Sequence, residues 1–239
     1  MAAPERPANA TSTSEQKEAL GLIERALPGC RRETSQSLAA TALFRSVRNE
    51  ETIFRQGEPI PLTLVVRGYG AFRRTTIDGQ QLTVGIANPG DLIGITSIAS
   101  VISSVELLAL TDCDVALWRG PEIRRLAATD PGFALDVIDR MSAFLNILTE
   151  KVEGFLHQNA RRRVVRILAR HRDLFFADPA VLSRSQLPSL VGTSREMTGR
   201  VLRELEREGT GSRVGRTGLK LLRPDQLDAD AAPLPRDTR

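Results

Sequence analysis

Apolar and polar positions change period several times along the 239-residue chain, and each change marks a candidate boundary. Residues 1–18 are rich in Ala, Pro, Ser and Thr and have no period, which predicts a mobile tail. Residues 19–46 hold short helical patterns such as Ala19-Leu20-Gly21-Leu22-Ile23. From about 51 to 118 the texture becomes short β-rich runs: Thr52-Ile53-Phe54, Leu62-Thr63-Leu64-Val65-Val66, Leu82-Thr83-Val84-Gly85-Ile86 and Val105-Glu106-Leu107-Leu108-Ala109-Leu110. Gly57, Gly68, Gly79 and Gly90 recur every eleven residues. Turn glycines between short strands predict a small antiparallel barrel. Asp78-Gly79 predicts a type I′ hairpin turn, with both central residues at φ > 0.

From Pro121 the period is helical. Asp130-Pro131 suits a helix start, because proline's missing N–H costs nothing in the first turn. Ile138, Leu145 and Val152 then lie seven apart, and Met141, Leu148 and Phe155 form a second row displaced by three. These are the a and d positions of a heptad seam. One small β domain cannot cover so long a seam, so two chains are expected to pair through it. Arg161-Arg162-Arg163 opens a further helix, Val164-Val165-Arg166-Ile167-Leu168-Ala169, which ends before Asp178-Pro179.

Residues 183–208 read SRSQLPSLVGTSREMTGRVLRELERE. A short helix containing Leu187, Leu190 and Val191 meets a turn at Gly192. A second helix starts at Ser194, a suitable cap, and turns Met197 or Thr198, Val201, Leu202 and Leu205 inward. Two helices joined in this way predict a helix-turn-helix, whose second helix enters the DNA major groove. Arg195, Glu196 and Arg200 stand at its start. Arginine pairs with guanine O6 and N7, and glutamate accepts from the cytosine amine. The bland reading is an intrahelical Glu196–Arg200 pair on a solvated face. The Gly192 turn, the cap and the basic surroundings favour base reading. Downstream, Val214-Gly215-Arg216-Thr217-Gly218-Leu219-Lys220-Leu221-Leu222 predicts a hairpin wing, with Arg213, Arg216 and Lys220 facing DNA phosphates.

Charge sharpens this division. The chain carries +4 overall, yet residues 159–223 carry +9, so the remainder sums to −5. A basic back joined to an acidic front fits separate nucleic-acid-binding and regulatory parts. No apolar run is long enough to span a bilayer, and the N-terminus lacks a signal peptide's apolar stretch, so a cytoplasmic protein with no membrane contact is expected. Two cysteines and two histidines are too few for an iron–sulfur cluster or most imidazole-based sites, so neither catalysis, a metal nor a cofactor is expected. An enzyme barrel of the cupin type would need histidine ligands, and residues 51–118 contain none.

The sequence resembles the Crp/Fnr family of bacterial transcription regulators from about residue 20 to 223. The resemblance rests on Gly192-Thr193-Ser194-Arg195-Glu196-Met197-Thr198-Gly199-Arg200-Val201-Leu202, similar to the family's recognition helix. It rests also on Phe54-Arg55-Gln56-Gly57-Glu58, Asp78-Gly79-Gln80, Pro89-Gly90-Asp91-Leu92-Ile93-Gly94 and Leu110-Thr111-Asp112-Cys113-Asp114-Val115. It implies an α+β chain: a mobile tail over 1–18, a cyclic-nucleotide-binding-like β-roll (a double-stranded, jelly-roll-like antiparallel barrel) over 19–128, a dimerisation helix over 129–157, a winged helix-turn-helix over 158–223 and a tail over 224–239. It further implies a homodimer reading palindromes, commonly with TGTGA half-sites, and acting with RNA polymerase. Arg195, Glu196 and Arg200 become the base readers, and Ser194 a backbone contact.

There are departures from the family pattern. Met197 and Thr198 replace its usual Thr-Val. Pro188 stands inside the supporting helix, which is expected to kink or to start late. Cyclic-nucleotide-binding members follow the equivalent of Gly94 with a glutamate for the ribose and later place an arginine on the phosphate. Here Ile95 replaces the glutamate, Ser103 and Ser104 occupy the Arg-Ser positions, and residues 94–110 contain no Lys or Arg. DNA binding without cyclic AMP is therefore expected. Gating by an unidentified small ligand or a redox signal through Cys30 is the alternative, with Cys113 read as a structural core residue. A sensor or scaffold module without DNA binding is the remaining rival.

Overall fold

The computed structural model describes residues 13–99 and 101–232, with the side chains of Thr13 and Phe155 outside the described set. Two compact units divide the chain, Met1–Ile147 and Leu148–Arg239. The first begins with helices α1 (Thr13–Ala26) and α2 (Arg32–Thr41). Ala19, Ile23 and Ala26 recur at helical spacing and are buried. The helix thus occupies residues 13–18, assigned to a mobile tail by composition, where Glu18 pairs with Arg67. Residues 1–12 of that tail lie outside the described residues.

Eight strands follow: β1 (Leu43–Val47), β2 (Thr52–Phe54), β3 (Leu62–Arg67), β4 (Gly70–Thr75), β5 (Gln81–Ala87), β6 (Leu92–Ile93), β7 (Glu106–Ala109) and β8 (Cys113–Trp118). They form two four-stranded antiparallel sheets, ordered β1-β8-β3-β6 and β2-β7-β4-β5. Strand period 2 assigns the buried residues to two cores. Val65, Val115 and Leu117 join Ile53, Phe54 and Leu107 in one. Leu62, Leu64, Ala116 and Trp118 join Ile23, Leu38 and Phe133 of the helices in the other. Trp118 fixes that second layer, its indole N–H donating to the Leu38 carbonyl at 2.9 Å.

The glycine at the β4–β5 hairpin is placed as expected, but the turn is not type I′. Gly79 has φ +79°, whereas Glu50 is the one non-glycine at positive φ among the described residues. The Gly79 amide donates to the Thr76 carbonyl and the Thr76 amide donates to the Gln80 carbonyl, both at 2.9 Å. This is a type I turn closed by a left-handed glycine, which needs positive φ at one position rather than two. β1 also corrects the helical reading of 19–46.

After α3 (Gly120–Thr129), α4 runs from Pro131 to His157, 27 residues long. Its first turn is held by buried carboxylates. Asp130 accepts from the amides of Gly132 and Phe133 at 3.0 and 3.2 Å and from Arg31 at 2.9 Å. Burial would raise the Asp130 pKa, but hydrogen bonds from Thr34 and these amides outweigh it and hold the group below its usual value. Asp136 accepts from the Gly29 amide through both oxygens, at 2.9 and 3.1 Å. The loop between α1 and α2 is thereby clasped to the start of α4.

The second unit contains α5 (Ala160–Arg170), α6 (Arg172–Phe175), α7 (Leu187–Val191), α8 (Arg195–Arg207), the hairpin β9 (Gly211–Val214) and β10 (Gly218–Leu221), and α9 (Pro224–Ala231). Val164, Val165, Leu168, Val191, Val201 and Leu205 are buried. The chain beyond 223, read from sequence as a tail, is helical through Ala231. Arg161 bonds Glu208 at 2.8 Å and Asp230 of α9 at 3.0 Å, and Arg172 pairs with Asp228. Residues 233–239 lie outside the described set.

Candidate nucleic-acid interface

α7 contains five residues, with Pro188 near its N-terminus. Early in a helix proline forfeits no bond, so the supporting helix starts late rather than kinking. Gly192 closes it at φ +67°, ψ +51°, a left-handed conformation natural to glycine. Two residues later Ser194 caps α8, its hydroxyl accepting from the Met197 amide at 3.1 Å. Loss of such a cap typically costs about 1 kcal/mol. Thr198, Val201, Leu202 and Leu205 are the buried face, which resolves the choice between Met197 and Thr198.

That anchoring leaves Arg195, Glu196 and Arg200 exposed. Glu196 and Arg200 approach to 3.8 Å, with side chains 84% and 56% exposed, and a pair this open holds neither firmly. Both remain free to exchange partners.

The wing follows directly. β9 and β10 pair in register from Gly218 opposite Val214 to Leu221 opposite Gly211. Arg216 and Lys220 are exposed. Arg213, expected as a phosphate contact, is exposed and also pairs with α8: its Nε and Nη2 donate to Glu206 at 3.0 and 2.7 Å. The pairing holds the Glu206 carboxyl below its usual pKa. Arg184, which sequence reasoning passed over, braces the wing by donating to the Arg216 carbonyl at 2.6 Å. Its partner lies 32 residues away, beyond the reach of any local pattern.

On α4 the seam residues Ile138, Met141, Leu145, Leu148 and Val152 are all exposed, between 40% and 60%. Phe155, the sixth of that seam, has its side chain outside the described residues. Residues 141–153 are exposed on every side of the helix. A large apolar stripe left open on a helix is the mark of an interaction surface.

The effector region is built differently from a phosphate site. Gly94 (φ +76°) stands where an added Cβ would meet the Pro61 carbonyl oxygen at 2.1 Å, so the backbone passes closely there. Ile95 packs against the helical core. The Ser103 hydroxyl is buried and donates to the Val105 carbonyl at 2.6 Å, whereas Ser104 is exposed. Between 94 and 110 the chain offers no Lys or Arg side chain to a phosphate. Burial raises the thiol pKa of both Cys30 and Cys113, and nearby aspartates add to it. A raised thiol pKa disfavours the thiolate at both positions. Among the described residues there is no metal-binding cluster of His, Cys, Asp and Glu, and no helix long and apolar enough to cross a membrane.

Comparison with known proteins agrees with this arrangement. Residues 44–130 match the cyclic nucleotide-binding domain, and residues 162–229 match the Crp-like helix-turn-helix domain. The cAMP-activated global transcriptional regulator CRP of Salmonella typhimurium is 26% identical over 178 residues, covering 71% of this chain and 85% of that protein. The structure of CLP from Xanthomonas campestris, described as a c-di-GMP responsive global regulator, is 26% identical with a TM-score of 0.61, over 84% of this chain and 98% of that one. FixK2 from Bradyrhizobium japonicum, 22% identical with a TM-score of 0.67 over 82% of this chain and all of that one, shares the fold. A cyclic-nucleotide-binding barrel, a long helix and a capped, winged helix-turn-helix in this order make the chain a member of the Crp/Fnr family of DNA-binding transcription regulators.

Proposed function

We propose that the protein is a homodimeric regulator that reads a palindromic, TGTGA-like operator through α8 without cyclic AMP. The observation that carries this reading is the exposure of Arg195, Glu196 and Arg200 on the first turns of a helix whose cap and buried face are complete. Arg195 and Arg200 pair with guanine edges and Glu196 with a cytosine amine, while Ser194, Arg216 and Lys220 face phosphates. The open stripe from Ile138 to Val152 supports pairing of two copies, which sets two reading helices against the two half-sites. Independence from cyclic AMP is supported by Ile95, the engaged Ser103 hydroxyl and the absence of a cation between 94 and 110. The protein acts in the cytoplasm and meets RNA polymerase at its promoters.

The test is fluorescence anisotropy on a TGTGA palindrome and a scrambled duplex, with and without cyclic AMP. Selective binding that cyclic AMP leaves unchanged upholds the proposal. Selectivity that appears only with cyclic AMP overturns the effector part, and equal binding to both duplexes overturns the operator.

A second reading is gating by another small ligand. The Ser97 hydroxyl is buried beside Gly94 and Ile95 without a hydrogen-bond partner, and the X. campestris relative is described as responsive to c-di-GMP.

A further inference from the structure

Three backbone carbonyls from two helix ends converge on one side chain. Arg163 is the fourth residue of α5. Its Nη1 donates to the carbonyl of Gln158, the residue just past α4, at 2.6 Å. Its Nε donates to Val191, the last residue of α7, at 3.3 Å. Its Nη2 donates to Gly192 at 3.4 Å. All three partners lie within the Leu148–Arg239 unit.

The chemistry of the junction calls for arginine. Carbonyls at a helix end have no partner inside the helix and carry partial negative charge. A guanidinium offers five donors in one rigid plane, so it can serve separate carbonyls at once. Lysine presents a compact charge on a flexible stem and lacks that span. The stem of Arg163 also leaves a fixed origin, because Asn159 caps α5 by accepting from the Arg162 amide at 2.9 Å.

We infer that Arg163 is a positioning residue for DNA reading, tying the end of α4 to the Gly192 turn and so setting where α8 begins. Only Thr193 separates Gly192 from the Ser194 cap, so a shift of the turn carries Arg195 and Glu196 with it. The assignment rests on the proposed role of α8 as the reading helix. It separates Arg163 from the phosphate contacts that an arginine-rich helix suggests, since each of its three guanidinium nitrogens already bonds a carbonyl of the protein itself.

The test uses the full-length protein and its Arg163→Met and Arg163→Lys variants. Anisotropy on the TGTGA palindrome and the scrambled duplex is measured across a range of salt, together with thermal unfolding and amide hydrogen exchange of residues 191–197 without DNA. The Met variant is expected to lose about tenfold in selectivity, comparable to one mismatched base pair, with the salt slope unchanged. The Lys variant should recover part of that loss, and exchange at Thr193–Met197 should quicken in the Met variant. Unchanged selectivity overturns the inference. So does an equal loss on both duplexes with the salt slope reduced by about 0.9, the mark of a lost phosphate contact. If Arg163→Met unfolds at room temperature, Arg163→Lys decides: reduced selectivity upholds the role and full selectivity overturns it. If the wild type itself does not discriminate, the reading of α8 fails. The exchange data then decide the tie alone, quickened exchange upholding it and unchanged exchange overturning it.

Discussion

Glu206 near the end of α8 and Arg213 on the first strand of the wing are joined by two side-chain bonds, so α8 and the wing are tied together. Disruption from either side has different consequences. Glu206→Gln releases the Arg213 guanidinium beside the proposed DNA face, and the salt dependence of binding should steepen by up to about 0.9 in log–log slope. Arg213→Ala should loosen the wing without that gain. Anisotropy titrations of both variants at several salt concentrations separate the two results.

Arg195→Ala and Arg200→Ala should each cost about 1–3 kcal/mol on a matched operator and flatten base preference at one position of each half-site. Lys220→Ala should weaken matched and scrambled duplexes alike. The open Glu196–Arg200 pair contributes little to folding, so the thermal midpoint of Arg200→Ala should stay near that of the wild type. A competition series with single-base operator variants checks the assignment.

Leu145→Arg and Val152→Asp each place a charge in the proposed apolar seam, where a partner helix would strip it of water. Sedimentation should find both variants as folded monomers. Unchanged dimers in both would show that the seam is not the contact.

His171 gives the second unit a pH dependence. Burial, aided by the charges of Arg170 and Lys151, lowers its pKa from 6.5 to about 4. Above pH 6.5 the ring is neutral folded and unfolded, and its contribution is complete. Between 6.5 and about 4 only the unfolded chain takes up the proton, so stability falls as pH falls. The loss should be about 2 kcal/mol after allowance for solvent around a partly exposed ring. Urea unfolding at pH 7 and pH 4 should find this part of the slope missing from His171→Gln.

Gly132→Ala would set a methyl group 1.8 Å from the Gly29 carbonyl oxygen, a backbone atom that cannot rotate aside. The expected cost is about 1–3 kcal/mol, read from the urea midpoint.

What the sequence disclosed was governed by the reach of each signal. α8 was legible because its determinants are neighbours: a left-handed Gly192, the Ser194 cap and an apolar face at helical spacing. The turn glycines were legible for the same reason. β1 escaped because in Leu43–Val47 only Val47 is buried, so no alternation shows. α9 escaped because its acidic residues answer to Arg161 and Arg172, over fifty residues earlier. The triple-arginine run read as a helix start and as charge, without the tie that Arg163 makes, since the carbonyls it serves at Val191 and Gly192 lie 28 and 29 residues on. The Arg213–Glu206 pair escaped for the converse reason: the two are near in sequence, but only the return of the chain through the wing brings them together.

The clasp between the α1–α2 loop and the first turn of α4 bears on assembly. Asp130 and Asp136 anchor the first turns of α4 before any second chain arrives. The ordering entropy of those turns therefore falls on folding rather than on association, so in the proposed dimer two such helices would meet partly preorganised. A folded monomer should accordingly persist on dilution, with dimer formation a separate, concentration-dependent event. Under the proposed dimeric reading, cellular abundance would then set how much operator-competent protein exists, independent of any bound effector.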